Sequence, residues 1–391
     1  MKHIRVGIIG VGNIGSVHAR TIYDGKIAGM ELTALCDINL EKLDRLKVEY
    51  PGCKLFRDFK ELIKSGEVDA VIVATQHRLH GEIGIKALET DLHVLSEKPA
   101  DISVTVAKKL NEIAKKSGKV FGIMFNQRTN TLFQKAREIV KSGELGELKR
   151  SVWIITNWYR SQNYYESGLW RATWSGEGGG ILLNQAPHNL DLWQWICGMP
   201  KSITAFCEES KYHNIEVEDD VTIFAEFENG VTGTFITTTG EYPGTNRLEI
   251  SGTLGKLVLE NGKLKWWKLK ESERDVCFNS KEMSPHIETA YTEIEDNSTE
   301  SGHVAILQNF ADSILKGTPL LSPGVEGINE LSISNAAYLS TWLNNKKVEL
   351  PINSKKFDKL LLKKMKKSLG SSKETEYTEK SEYSSRWRVK W

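Results

Sequence analysis

The stretch Val6-Gly-Ile-Ile-Gly10-Val-Gly12-Asn-Ile-Gly15 runs from a β-branched strand through three glycines into a segment with helical periodicity. Read as strand, turn and helix, it is the pyrophosphate cradle of a dinucleotide fold. Gly10 permits the tight turn, Gly12 lets the backbone approach the phosphates, and Gly15 allows close packing of helix on strand. Asn13 and Ile14 open the helix, whose amino terminus faces the anion. The flanks agree: Ile4, Val6 and Ile8 precede the glycines, and Ile14, Val17, His18, Thr21 and Ile22 share one helical face behind them. A second strand, Leu32-Thr-Ala-Leu-Cys36, ends in Asp37, about 20 residues past the last glycine, where an acid binds the adenosine ribose. A carboxylate there accepts hydrogen bonds from both ribose hydroxyls and repels a 2′-phosphate, and Ile38 and Asn39 supply no arginine to hold one. NAD is therefore expected rather than NADP. The same position also suits Asp37 as the cap of a helix starting near Leu40.

The chain has 391 residues and a formal charge of +1. At roughly 150 residues per domain, two or three domains are expected. The near balance of charge gives no field to attract nucleic acid, so small molecules or copies of the chain are the expected partners. The five cysteines are scattered without metal-ligand spacing, so no metal site is read and a reducing cytoplasm fits. Glycines and Asn13 interrupt the apolar start before it could serve export, and no run is long enough to span a membrane.

Strand and helix alternate through the first third. A helix follows Asp37 to about Tyr50, then come a short strand at 54–56, a helix from Asp58, a buried strand at 68–74, a helix over about 80–89 and a strand at 93–95. A helix over about 103–116 and a strand at 120–125 complete the series. This pattern predicts an α/β fold with a doubly wound parallel sheet whose ligands bind at the carboxyl ends of its strands. Thr75, Gln76, His80, Glu97, Lys98 and Asn126 stand near such ends and are, with the glycine loop and Asp37, the candidate cofactor contacts. Beyond Phe125 the alternation changes. A helix is predicted at 132–141, and runs such as Val221–Phe227 and Val231–Ile236, joined by Glu228-Asn-Gly230, alternate apolar and polar residues. The Asn-Gly pair marks a hairpin, so a large antiparallel sheet is expected, one face covered by helices at about 303–316 and 325–344. The expected units are a nucleotide-binding domain (1–125), a substrate and oligomerisation domain (126–353), and a basic helix with a tail (354–391).

The glycine motif, Ser96-Glu97-Lys98-Pro99 closing the fifth strand, and Gly178-Gly-Gly180 followed by Asn184-x-x-x-His188 together resemble the Gfo/Idh/MocA family of pyridine-nucleotide oxidoreductases over about residues 3–350. The resemblance implies a Rossmann domain, a carboxy-terminal α/β domain on a large open, mixed, mainly antiparallel sheet, and homo-oligomers joined through that sheet.

A secondary alcohol gives up hydride only as its hydroxyl proton leaves, so the site needs a base near neutrality and a positive group beside the developing alkoxide. His188 is assigned as the base and Lys98 as the polarising cation, its pKa expected to be lowered by burial. Asn184, His188 and Asp191 are four and three residues apart, on what reads as one helix face with Pro187 in the first turn. By the family parallel Asn184 orients substrate or imidazole; Asp191 either relays charge to His188 or caps nearby backbone.

Aromatic residues crowd 153–195. Flat rings suit the C–H faces of a saccharide, and Tyr159, Arg160, Trp170 and Arg171 are the expected substrate contacts together with Lys98, Asn184 and His188, whereas Trp153, Trp193 and Trp195 read as core. The wording around Asn184–Trp193 is most similar to family members acting on glucosides, including those that oxidise C3 to a 3-keto sugar. Hydride exchange between NAD and a sugar or glycoside is thus the leading expectation. Alternatives are an inositol-type polyol dehydrogenase, a glycosidase using transient C3 oxidation, and a silent NAD-binding regulator. From Ser354 a lysine-rich stretch carries Phe357, Leu360, Leu361 and Met365 at helical spacing before a polar tail. That tail is expected to dock on its own or a neighbouring subunit through Trp387 and Trp391.

Overall fold

The structure is a computed structural model that describes residues 3–296 and 302–368. Six parallel strands, β1 (Ile4–Ile9), β2 (Met30–Cys36), β3 (Lys54–Phe56), β4 (Ala70–Val73), β5 (His93–Ser96) and β6 (Phe121–Ile123), lie in the order β3-β2-β1-β4-β5-β6. Strand order reverses between β1 and β4, which opens a crevice at their carboxyl ends. All of β4 is buried, as its unbroken Ala-Val-Ile-Val run requires with helices on both faces. Local signals set the helix ends. Ser103 accepts the amide of Thr105 to start helix Val104–Ser117, and Gly118 at φ 66° ends it. Helix His77–Glu89 begins three residues before the expected position, capped by extended Gln76.

The second sheet has nine strands: β7 (Leu148–Ile155), β8 (Ser202–Glu209), β9 (Glu218–Glu226), β10 (Thr232–Thr238), β11 (Asn246–Gly252), β12 (Gly255–Glu260), β13 (Lys263–Leu269), β14 (Thr289–Glu295) and β15 (Val348–Glu349). Their order is β14-β13-β12-β11-β7-β10-β9-β8-β15. β7 and β10 pair parallel and the other neighbours antiparallel, so the sheet is mixed, as expected. Asn229 and Gly230 take the two positive φ values, 59° and 76°, in the connection between β9 and β10. Alternation then divides β9, with Val221, Ile223 and Ala225 inside the core and Phe224 on the open face beside Phe206 of β8.

Helices Pro187–Cys197 and Gly327–Trp342 cover the inner face of this sheet. The expectation that helix Gly302–Lys316 would do the same is corrected. Its Ile306, Leu307, Phe310 and Ala311 complete the core formed by Ile4, Val6, Ile8 and Leu35, because its apolar face matches the wall left open beside β1 and β6. The lysine-rich helix Ser354–Lys367 is docked. Phe357 stacks on Trp342 at 5.4 Å, Leu361 is buried, and Asp358 accepts hydrogen bonds from Ser103 and Thr105. Trp387 and Trp391 lie outside the described residues. Among the described residues no helix is long and apolar enough to cross a membrane.

Candidate active site

The crevice between β1 and β4 is shaped for a dinucleotide. Gly10 has φ +88°, and a Cβ there would come within 2.6 Å of the Ala74 carbonyl oxygen. A Cβ on Gly15 would lie 2.0 Å from the oxygen of Gly10, so helix and turn touch backbone to backbone. Gly12 faces open space, with nothing within 4 Å of an added Cβ, and the first-turn amides of Asn13 and Ile14 belong to a helix end that has no internal acceptor for them. Asp37 accepts the amide of Val11 at 3.0 Å and that of Asn39 at 3.0 Å, which links the end of β2 to the glycine loop. Asn39, rather than Asp37, caps the following helix. Lys42 pairs with Asp37 at 3.1 Å. Asn126, after β6, carries a buried side-chain oxygen without a partner. A glycine cradle, open space above it, an acid at the ribose position and an orphaned amide oxygen all fit NAD.

Two of the candidate cofactor residues are occupied otherwise. Both ring nitrogens of His80 lie against backbone carbonyls, Nδ1 2.8 Å from Pro99 and Nε2 2.9 Å from Thr75. His80 is 1% exposed, so the expected contact with cofactor is corrected to a strut beneath Thr75 and Pro99. Glu97 is held by the ring of His18 at 2.8 Å. Burial opposes its charge, but the His18 hydrogen bond and the positive surroundings bring its pKa down to about 2.

Lys98 leaves β5 toward the second domain, and its Nζ donates to the carbonyl oxygen of Asn184 at 2.6 Å. Burial lowers its pKa, while Glu97, Glu330 and Glu177 oppose the shift. His188 stands in the first turn of helix Pro187–Cys197, its ring edge-on to Phe125 at 6.3 Å. Burial, and then the nearby charge of Lys98, hold its pKa well below the ordinary histidine value, so the ring is neutral at pH 7. The end of β5 and the start of helix Pro187–Cys197 thus place Lys98 and His188 near enough for the lysine's charge to act on the ring.

Of the expected helix face, His188 and Asp191 stand three residues apart in helix Pro187–Cys197, while the place of Asn184 and the role of Asp191 are corrected. Asn184 precedes the helix in the turn from Gly180. Asp191 takes a two-pronged bond from Arg128, Nε and Nη2 each at 2.7 Å, so neither its relay role nor its backbone-capping role holds. It pins the His188 helix to the turn after β6, and Arg128 also binds Glu326.

Trp170 and Arg171 belong to the same neighbourhood. Arg171 lies over the Trp170 ring at 4.7 Å and the Tyr164 ring at 4.8 Å, and Trp170 meets His77 edge-on at 5.9 Å. Tyr159 and Arg160 instead line an adjoining cavity of about 330 Å³ with Gln162, Tyr212 and His213. Arg160 reaches back over the Tyr164 ring at 5.0 Å. Trp153 and Trp193 are fully buried, as expected for core, and Trp195 packs under Arg128 and Arg137. Sequence reasoning missed Glu177, His77, His18 and Arg128. The first lies inside the glycine run Gly176-Glu-Gly178, where an acid among glycines is a readable signal; the others carry no local mark. Among the described residues no group of three or more metal-ligating side chains occurs.

Two family models match the chain: "Oxidoreductase family, NAD-binding Rossmann fold" over residues 4–125 and "GFO/IDH/MocA C-terminal domain" over 133–258. Myo-inositol 2-dehydrogenase of Thermotoga maritima is 27% identical over 264 residues, 66% of this chain and 75% of that protein. D-glucoside 3-dehydrogenase of Escherichia coli is 31% identical over 209 residues, 52% of this chain and 57% of that one. The WlbA dehydrogenase of Bordetella pertussis, crystallised with NADH and UDP-GlcNAcA, superposes with a TM-score of 0.74 at 24% identity, covering 90% of this chain and all of its own.

Proposed function

The chain belongs to the Gfo/Idh/MocA family of oxidoreductases, with an NAD-binding Rossmann domain at its amino terminus, and from that premise we propose that it exchanges hydride with a secondary hydroxyl or ketone of a sugar or glycoside. The observation that carries the reading is Lys98, anchored on the turn before helix Pro187–Cys197, with its charge acting on neutral, buried His188. Bound NAD supplies the hydride acceptor or donor. His188 takes the hydroxyl proton in oxidation and returns it in reduction. Lys98 donates to the same oxygen and steadies its developing charge. Asn184, with Trp170 and Arg171, lines the face where the sugar rests, and Tyr159 and Arg160 meet its substituent. Gly10, Gly12, Asn13, Ile14, Gly15, Asp37, Thr75, Gln76 and Asn126 hold the cofactor.

C3 of a glucoside is the proposed position of reaction. Support comes from the motif around Asn184–Trp193 and from relatives named as glucoside and inositol dehydrogenases. The open face carrying Phe206 and Phe224 supports a homo-oligomer, and free thiols at all five cysteines fit a cytoplasmic enzyme. Purified protein with NAD is mixed with a panel of glycosides and inositols. NADH together with a 3-keto sugar is the expected result, NADH with inositols alone makes it a polyol dehydrogenase, and release of aglycone without net NADH makes it a glycosidase. Silence with every compound overturns the reading.

A further inference from the structure

Glu177 is 2% exposed, yet it ends in the middle of the polar cluster around Lys98. Both of its carboxylate oxygens receive N–H donors: Asn184 Nδ2 on Oε1, and the amide of Ala172 on Oε2 at 2.7 Å. Burial pushes the Glu177 carboxyl above its ordinary range, opposed by Arg171, by these two donors and by Lys98; donors on both oxygens suit the ionised form, because neither oxygen has to offer a proton. The glycines around it explain how it arrives there. A Cβ on Gly178 would lie 2.5 Å from Ile102 and one on Gly176 would lie 2.3 Å from the Trp170 carbonyl oxygen, so only a bare backbone can carry an acid through this passage. The carbonyl of Glu177 in turn faces His77 Nδ1 at 3.2 Å. Asn184 is consequently fixed at both ends, its amide nitrogen on Glu177 and its oxygen near the Tyr164 hydroxyl at 3.4 Å. Its backbone oxygen holds Lys98 Nζ.

Resting on the dehydrogenase reading, we propose that Glu177 is the residue that positions Lys98 for the reaction, clamping Asn184 whose carbonyl oxygen holds the lysine ammonium. Two other charged groups face that ammonium, Glu97 with negative sign and Arg171 with positive; burial pushes the carboxyl of Glu330 well above its ordinary range, and it lowers the pKa values of His77, His188, His80 and His303, which are neutral. Glu177 is the one of the three acids that also fixes the acceptor of Lys98. The carboxylate is a second support for the lysine's proton, since its charge raises the pKa of Lys98 against the lowering by burial.

The test exploits hydrogen-bond polarity. In Glu177→Gln the negative charge is lost, and with the new amide's oxygen kept on the Ala172 amide its NH2 faces Asn184 Nδ2, a clash that only a flip of the Asn184 amide relieves. In the double variant E177Q/N184D, the amide introduced at position 177 donates to the carboxylate introduced at position 184 and accepts from the Ala172 amide, restoring both contacts and the negative charge. Acetylation of Lys98, followed by mass spectrometry over a pH series in the full-length protein, gives the lysine's midpoint without any turnover. The midpoint is expected to fall by about one pH unit in E177Q and to return in the double variant, with the alkaline limb of kcat/KM moving in parallel. An unchanged midpoint in E177Q, or no recovery in a folded double variant, overturns the proposal. Should E177Q not fold, the folded double variant and N184D take its place: a wild-type midpoint in the former and a raised one in the latter support it, and any other pair of midpoints overturns it. Because labelling is independent of substrate, an inert glycoside panel would sink the functional reading and leave this measurement intact.

Discussion

The two sides of the crevice are built from different materials. On the nucleotide side the working surface is backbone: glycines whose missing Cβ atoms let strand, turn and helix touch, with the Gly10 oxygen 2.0 Å from where a Gly15 Cβ would be. On the substrate side it is side chain, carried by the segment from 157 to 186, with its short helix Gln162–Glu166, between β7 and helix Pro187–Cys197. Arg128 joins the two, reaching from the turn after β6 to Asp191 on the helix of His188. The contrast teaches that the first side is fixed by what residues lack, and the second by what they reach.

Attacking the side-chain half has the largest expected effect. Lys98→Met and His188→Ala should each lower kcat on the best glycoside by about 10² to 10⁴ fold, read by steady-state NADH formation; full turnover in both would break the division of labour. Cutting the joint comes next. Arg128→Met strands Asp191 as a buried unpaired charge, and urea unfolding should show a loss of about 3–5 kcal/mol. Gly15→Ala attacks the backbone half, forcing the helix from the turn at a cost of about 1–3 kcal/mol with weakened NAD binding by calorimetry. Asp37→Ser sharpens the picture further. With the carboxylate gone, Lys42, now 3.1 Å from it, is free to meet a 2′-phosphate, and the ratio of NAD to NADP affinity should drop about tenfold, worth about 1.4 kcal/mol. The smallest effect is in pH. An ordinary histidine would be about three-quarters protonated at pH 6, but His188 titrates well below 6.5. The catalytically competent neutral form persists as pH falls, so kcat/KM at pH 6 should stay within about twofold of its value at pH 7.5; a steep acid limb centred near 6.5 would contradict the burial of the ring.

The same contrast explains what could be read from the chain beforehand. Glycines at 10, 12 and 15, the acid at 37 and the hairpin at Asn229-Gly230 act over a few residues, so their meaning is local. Lys98 and His188 each stand at the terminus of a predicted element, but their pairing comes from the family resemblance and the demands of hydride transfer, not from a local signal. Arg128 and Asp191 are 63 residues apart, and Glu177 and Lys98 are linked only through Asn184; no periodicity encodes such meetings. The helical phase that put Asn184 with His188 failed because Pro187 opens the helix, leaving residue 184 in the preceding turn. His80 illustrates the opposite error, a polar residue near a strand end whose partners turned out to be carbonyls underneath the surface.

The return of residues 302–316 to the first sheet has a consequence for how the molecule is made. Ile306, Leu307 and Phe310 close a hydrophobic wall whose other bricks are mostly laid down before residue 36, so the nucleotide domain, made before the other, stays unfinished until most of the second has been synthesised. A truncated gene product ending near residue 125 would expose that wall, and the two halves are therefore unsuited to life as separate polypeptides.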